Sequence, residues 1–504
     1  MKYTAASLTT IGLYATFTAA QQCTATISAS GYPAPSLANG WSAHIIANGF
    51  TKPRSLKLDN EGNMLVVDQD EENGGVYRVS FTGQAPCLVE SNRFQVWKNG
   101  SLNHGIELSP DGSTLYASSQ DAVYAWPYEA SSGAIGYEKR VIELGGSGTH
   151  ATRTLLLPPN DPDFLLVSWG SNGNVDPQAR DPTSGYSSIK AFNISDTSRV
   201  WNYTTDGLLV GYGLRNSIGL AQNPITGGIF SNENSVDNLF RDGVEIVEDN
   251  PAEELNFHGY LNGTDSPNFG AYYGYPDCFS AWDAEAVPDY DDLQTGQQFA
   301  ANFNESVDDA WCRENAVSPV LSFTAHMAPM DQEFNTAGTV MYISFRGSWN
   351  RENPAGYKLA AIPFNPATGM PTADPNSRDG YLEIMANEDE SKCPDECFRP
   401  VGLEWSAGGE QLFMASDATG EIYIVYRDDG MPVDDFTVPG SETEDGNDEQ
   451  IEPASPTPSE TEEGDDEQSG PASPTPSDES SAVTFANGQW WVAAAAAVTI
   501  AFFS

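Results

Sequence analysis

The run EQLFMASDATGEIYIVY (410–426) decides the fold. EQLFMAS (410–416) is a short apolar block closed by small residues, and GEIYIVY (420–426) is a second block rich in aromatic and β-branched types that favour strands. Two such blocks around a tight turn read as a hairpin. Related runs recur along the chain: NMLVVDQ (63–69) with GGVYRV (74–79), STLYASS (113–119) with AVYAWPY (122–128), DFLLVSW (163–169), GGIFSNE (227–233) and TVMYISF (339–345). No 3.6-residue periodicity competes over a comparable length. Six hairpins, spaced by about 50 residues or more, predict an all-β chain folded as a six-bladed β-propeller. A gap of about 110 residues between the fourth and fifth runs must hold loops or an inserted excursion. A two-domain sandwich is the alternative architecture.

Of the 504 residues, 39% are hydrophobic, which is enough for a real core. The formal charge of −48 excludes a general affinity for nucleic acid, which needs basic surface, and argues against docking on anionic lipid by charge. Fourteen of the 71 acids lie between Glu442 and Glu479, which leaves 57 acids against 23 bases elsewhere. The plain reading is a soluble secreted protein in an acidic medium.

The ends differ from the middle. Residues 1–20 carry a basic start, an apolar stretch and a small-residue site, as a secretory signal does. Residues 21–435 are the predicted propeller. From 436 to 481 the chain turns acidic and Pro/Ser/Thr-rich, and EDGNDEQIEPASPTPS (444–459) returns as EEGDDEQSGPASPTPS (462–477), a period of 18. Such a segment cannot bury enough surface to fold, so a disordered stalk is expected, with O-glycosylation. Residues 482–504 end in WWVAAAAAVTIAFFS, too short to span a bilayer comfortably. After the small site Ser480-Ser481-Ala482 this matches a GPI-anchor signal, with a true tail anchor or an expendable end as alternatives. Membrane contact is therefore expected only through a lipid anchor, and a monomer is expected.

Six cysteines suit that compartment and allow 15 pairings. Sequence neighbourhood favours Cys23–Cys87, Cys278–Cys312 and Cys393–Cys397, the last within the tight loop CPDEC. Asn99, Asn193, Asn202, Asn262 and Asn304 head N-x-S/T acceptors for glycosylation.

Propeller sites form where loops converge on the axial channel. Three of the five histidines, His104 (LNHGIEL), His150 (GTHATRTL) and His326 (TAHMAPMD), stand in loop-like contexts of different blades. Arg54 (KPRSLKL), Arg215 (GLRNSIG), Arg346 and Arg351 (SFRGSWNR) and Arg399 (CFRPVGL) begin or end strand patterns. In a chain this poor in bases, arginines at equivalent repeat positions would build one cationic pocket, suited to binding carboxylates in a bidentate way. Salt bridging to the abundant acids is the competing reading for any one of them.

The runs GYGLRNSIGLA, DNPAEELNFHGYLNG, YYGYPDC, AHMAPMD, YISFRGSWNRENPAGYK and FRPVGL, in that order, resemble the soluble quinoprotein sugar dehydrogenases. The resemblance is to fungal pyrroloquinoline-quinone (PQQ) dependent pyranose dehydrogenases of auxiliary activity family twelve, also called sorbosone-dehydrogenase-like, over most of residues 40–430. It implies a six-bladed propeller. It also implies an oxidoreductase that takes a pyranose or ketoaldose at its anomeric or aldehyde carbon. Arg215 with Asn216 would meet the quinone end of PQQ. Arg54, His104, His326, Arg346 and Arg399 would face the cofactor, and His150 would be the catalytic base, with a structural loop histidine as its alternative. Calcium is the implied metal, near Glu233 and Asn234 and held through backbone carbonyls. Glu254 matches an acidic position with a structural or calcium-linked role. Some relatives add a haem domain or a cellulose-binding module, and neither fits here. Electrons would pass to an external acceptor, for which the resemblance suggests a lytic polysaccharide monooxygenase. A calcium-dependent propeller lactonase and a non-catalytic glycan-binding propeller are the rival readings.

Overall fold

The computed structural model describes Cys23 and residues 27–29, 31–146, 148–290, 292–301 and 304–439. The secretory signal, nearly all of the stalk and the anchor segment lie outside these residues.

Among the described residues the chain forms six sheets of at least four strands, each a propeller blade, and two further two-stranded pairs; the pairing is antiparallel except where Trp201–Asn202 and Ala271–Tyr272 add short parallel edges. The innermost strands are Pro53–Leu58, Leu102–Leu108, Leu155–Leu156, Ser217–Gln222, Pro329–Phe334 and Pro400–Trp405. Each touches the next, and the last returns to the first, so the ring is closed around an axial channel. The closure is a strand exchange between the ends of the chain. Trp41–Ala47 is the outermost strand of the last blade, paired antiparallel with Glu421–Arg427 through Trp41↔Arg427 and Ile45↔Tyr423.

The predicted apolar runs are the second strands of the blades, and burial on both faces explains their continuous apolar character. Met64–Asp68, Gly228–Glu233, Val340–Phe345 and Leu412–Ser416 are buried at every position. Alternate side chains point to opposite sides of a sheet, so each of these strands feeds two cores. Leu65 and Val67 pack against the second blade, whereas Met64 and Val66 pack against the sixth. Leu165 and Val167 join the second blade's core and Leu166 the fourth's. Met341 and Ile343 face the fourth blade, while Val340 and Tyr342 face the sixth. A two-domain sandwich has no such cycle of shared cores.

The long gap is an excursion inside the fourth blade, between its third strand Glu253–Tyr260 and its fourth strand Leu321–Phe323. It holds the short helix Asp309–Asn315, whose N-cap Asp308 accepts the Trp311 N–H, and a small core around Phe279, Val287 and Phe299. Cys278–Cys312 staples it. Cys23–Cys87 and Cys393–Cys397 are also bridged, and no described cysteine is free. Past residue 435 the chain still packs, with Phe436 edge-on to Trp41 at 4.9 Å and Val438 buried. Among the described residues, no helix is long and apolar enough to cross a membrane.

Candidate active site

Antiparallel pairing sets the start of each inner strand beside the end of the second strand of its blade. The pairs Pro53↔Asp68, Leu102↔Ser119, Ser217↔Glu233, Pro329↔Phe345 and Pro400↔Ser416 all lie at this one end of the channel. Arg54, His104, Arg215, Asn216, His326 and Arg399 sit at or just before inner strands. Arg346, Glu233 and Asn234 sit at or just after second strands. The repeat therefore converges the predicted residues on one mouth, in two adjoining groups.

The first group is three arginines around one carboxylate. Asp417, 1% exposed, accepts from Arg346 Nε at 2.8 and 2.9 Å and from Arg54 Nη1. Arg399 donates from Nε to the Arg346 carbonyl at 3.0 Å and from Nη2 to the Gly347 carbonyl, with its guanidinium 5.4 Å above the Tyr357 ring. Burial alone would raise the Asp417 carboxyl, but Arg346 and Arg54 outweigh it and hold it below its ordinary value. Burial, and then Arg346, lower Arg399 to about 10. Three cations face one anion, so the group carries surplus positive charge in a desolvated place. His104 is buried next to it with no partner for Nδ1, and burial followed by Arg54 lowers it to about 3.

The second group lines a pocket of about 190 Å³ that includes His150, Arg215, Asn216, Asn234, Asp237, Glu253, His326, Trp349 and Asn350. Arg215 Nη2 donates to Asp237 Oδ2 at 2.6 Å and to Asn174 Oδ1 at 2.9 Å, and its backbone N–H donates to Glu233 Oε1 at 2.6 Å. The side-chain oxygens of Asn216 and Asn350 are buried without a partner. Such atoms are costly unless something else satisfies them.

His150 is held in one tautomer. Its Nδ1 lies 3.0 Å from the Ser171 carbonyl and 2.9 Å from Ser171 Oγ. The carbonyl can only accept, and the hydroxyl donates to the Gly173 carbonyl at 2.6 Å. Nδ1 must therefore carry the proton, which leaves the Nε2 lone pair free. Burial, and then Arg215, lower the imidazole to about 3, so it is neutral at ordinary pH. Arg153 fixes the loop by donating to the His150 carbonyl at 2.8 Å. Gly170 makes room for it, because a Cβ there would stand 2.7 Å from His150 Cβ and 2.5 Å from Asn216 Oδ1.

His326 differs. Nε2 donates to the Val247 carbonyl at 2.6 Å, and Nδ1 accepts from Asn350 Nδ2 at 3.3 Å, so both nitrogens are engaged. Its φ of +65°, with +54° at Ala328, is backbone that non-glycine residues adopt at a cost, which is common where a site demands it.

Glu233 stands behind Arg215 rather than in the pocket, with Oε2 unpartnered, while Asn234 lines the wall. Glu254 lies away from the pocket, buried against Asn256 Nδ2 at 3.0 Å. Glu253, which sequence reasoning missed, accepts from the Ser235 N–H at 2.8 Å and the Ala328 N–H at 3.3 Å, and burial raises it to about 8. Asp237, Asp417 and Ser171 were missed too. Asp417 and Ser171 share one signal, a position just past a second strand. Among the described residues, no group of three or more His, Cys, Asp or Glu is arranged to hold a metal ion. Asp237, Glu253 and the Asn234 backbone supply oxygens only, the donor set of a hard cation.

A PQQ-dependent sugar dehydrogenase of Hypocrea jecorina is 42% identical over 427 residues, covering 82% of this chain and 94% of that protein. A PQQ-dependent pyranose dehydrogenase of Coprinopsis cinerea is 33% identical, covering 80% of this chain and 57% of its own length. The calcium structure of a Trichoderma reesei family AA12 protein superposes with a TM-score of 0.77 at 41% identity, over 81% of this chain and all of that one. The holo PQQ domain of the Coprinopsis cinerea pyranose dehydrogenase gives 0.73 at 31% identity, over 80% of this chain and 99% of that one. Residues 35–428 match the family described as TrAA12-like, and the chain belongs to that family.

Proposed function

We propose that this protein is a PQQ-dependent sugar dehydrogenase that oxidises a pyranose or ketoaldose at its anomeric or aldehyde carbon. The observation that carries the reading is the oriented, neutral His150 beside a desolvated surplus of arginine. The residues fit the cofactor. Arg54, Arg346 and Arg399 would hold its carboxylates, and Arg215 with the Asn216 amide N–H, both donors, would meet its quinone end. Bound there, PQQ supplies an ortho-quinone that accepts hydride from the sugar. His150 Nε2 takes the hydroxyl proton from the same sugar carbon, and the Ser171 carbonyl stabilises the imidazolium that results. Arg215 places a fixed positive charge where negative charge develops. His326 holds the wall through Asn350 and Val247 and has no lone pair to spare.

Calcium is the proposed metal, on the Asn234 side of the pocket, where carbonyl and carboxylate oxygens are available. The protein is proposed to act outside the cell as a monomer, tethered by a GPI anchor. Its electrons would pass to an external acceptor such as a lytic polysaccharide monooxygenase. A lactonase or a glycan-binding propeller would have no use for two arginines on one buried carboxylate with a third beside them.

The test is the absorption spectrum of calcium-loaded protein titrated with PQQ, before and after adding sugars. Saturable binding, followed by sugar-dependent bleaching of the quinone band, supports the reading. Binding without bleaching by any aldose would overturn it.

A further inference from the structure

One large side chain at the mouth stands mostly in solvent. Trp349 is 66% exposed, yet it lines the same pocket as His150, Arg215 and His326. It touches no other aromatic ring among the described residues, and the hydrophobic cores do not include it.

Its loop is nonetheless pinned on both sides. Ser348, 2% exposed, exchanges hydrogen bonds with Ala355, its N–H donating to the Ala355 carbonyl at 2.9 Å and its Oγ accepting the Ala355 N–H at 3.1 Å. Its own carbonyl accepts from the Tyr357 hydroxyl. Asn350 bridges to His326 Nδ1 and to the Asp237 carbonyl, both at 3.3 Å. Arg351 donates to the carbonyls of Glu248, Ala325 and Asn353. Gly347, at φ +90°, packs directly on the Tyr357 ring, a place no larger residue fits. The indole is therefore presented by a pinned loop, two-thirds exposed, on a pocket whose other lining is polar apart from Ala328.

A ligand matched to that arrangement has one apolar face for the ring and polar groups around its edge. A neutral pyranose is such a molecule, with a face of C–H groups and a rim of hydroxyls. The cofactor is a weaker match, because its carboxylates are drawn to the arginine group on the other side of the loop. We propose that Trp349 is the platform on which the sugar ring stacks, turning its anomeric carbon toward His150. This inference rests on the dehydrogenase reading.

Trp349→Ala and Trp349→Phe are compared with wild type, all loaded with PQQ and calcium. Sugar-dependent quinone reduction is followed by stopped flow across a panel of aldopyranoses. The alanine variant is expected to need about tenfold more sugar for half-saturation, with the limiting rate within about twofold and the phenylalanine variant between the two. Thermal stability and PQQ affinity are expected to stay close to wild type, since the side chain is two-thirds exposed and belongs to no hydrophobic core. A second readout avoids turnover. The methyl glycoside of the best sugar has its anomeric oxygen capped, and its binding to the unloaded protein is followed by saturation-transfer NMR. The indole-dependent signal should vanish in the alanine variant. Unchanged half-saturation and unchanged glycoside binding would overturn the inference and leave the dehydrogenase reading intact. So would a defect confined to PQQ affinity, to the limiting rate, or to reoxidation by an external acceptor. Wild-type protein that binds PQQ but is reduced by no sugar would remove both readings.

Discussion

His150 Nδ1 is 3.0 Å from the carbonyl of Ser171, and that contact sets which ring nitrogen can act as a base. A buried imidazole beside Arg215 resists protonation, and its value of about 3 lies well below the ordinary one for histidine. Only the neutral form accepts a proton, so lowering the pKa widens the active range toward acid. The limiting rate of quinone reduction should stay flat, as far as His150 is concerned, from about pH 8 to about pH 5. A stopped-flow pH series checks this, and a rate that halves near pH 6.5 would show an unperturbed imidazole instead.

Asp417 neutralises one of three neighbouring guanidinium groups. Asp417→Asn should leave Arg54, Arg346 and Arg399 repelling one another in a desolvated place. Breaking a buried pair costs about 3–5 kcal/mol, so a large drop in melting temperature of the unloaded protein is expected. PQQ, an anion, should restore part of it. Thermal melts with and without PQQ make the comparison, and an unchanged melting temperature in the unloaded variant would refute the role given to Asp417.

Arg215→Ala removes a charged donor at the proposed quinone end. One charge-assisted contact is worth roughly 1.5–3 kcal/mol, so PQQ affinity should fall by about 10- to 100-fold and turnover should nearly vanish. The fold should persist. Absorbance titration gives the affinity and circular dichroism the fold, and wild-type affinity with wild-type turnover would withdraw Arg215 from the site.

The far end of the same inner strands has the opposite charge. Lys57 Nζ lies 3.3 Å from both Glu107 Oε2 and Glu404 Oε2, and Asp331 and Glu333 join the cluster from the fifth blade. Burial raises Glu107 to about 7 and Asp331 to about 6, and raises Glu333 well above its ordinary value. An acid whose folded pKa is raised favours folding fully below its unfolded pKa, and that contribution is lost as pH rises through the folded value. Wild-type stability should therefore fall from about pH 5 to pH 8. In Glu333→Gln the fall should be smaller, because one acid no longer titrates. Melting temperatures at both pH values test it, and an equal fall in the two proteins would contradict the assignment.

Legibility in the sequence followed packing. The second strands stood out because both their faces are buried, as MLVVD (64–68) shows. The inner strands PRSLKL and LNHGIEL did not, because they carry the polar groups that line the channel. The closing strand WSAHIIA pairs with a segment nearly the whole chain away, which no local pattern reveals. At the site, arginines and histidines were readable because they are scarce, with 23 Lys and Arg and five His in all. Asp417 and Glu253 were not, since each is one acid among 71 and only burial sets it apart. Trp349 escaped for a related reason, because exposure is not written in residue type.

The most direct measurement is reduction of bound quinone by sugar in His150→Ala, loaded with PQQ and calcium and followed by stopped-flow absorbance. The variant should bind PQQ as wild type does, because the arginines and Asn216, not His150, are the proposed holders of the cofactor. The limiting rate should fall by about 10²- to 10⁴-fold, the usual contribution of a positioned base. A variant that reduces its quinone at the wild-type rate would contradict the account, and His104, with its unpartnered Nδ1, would become the histidine to examine.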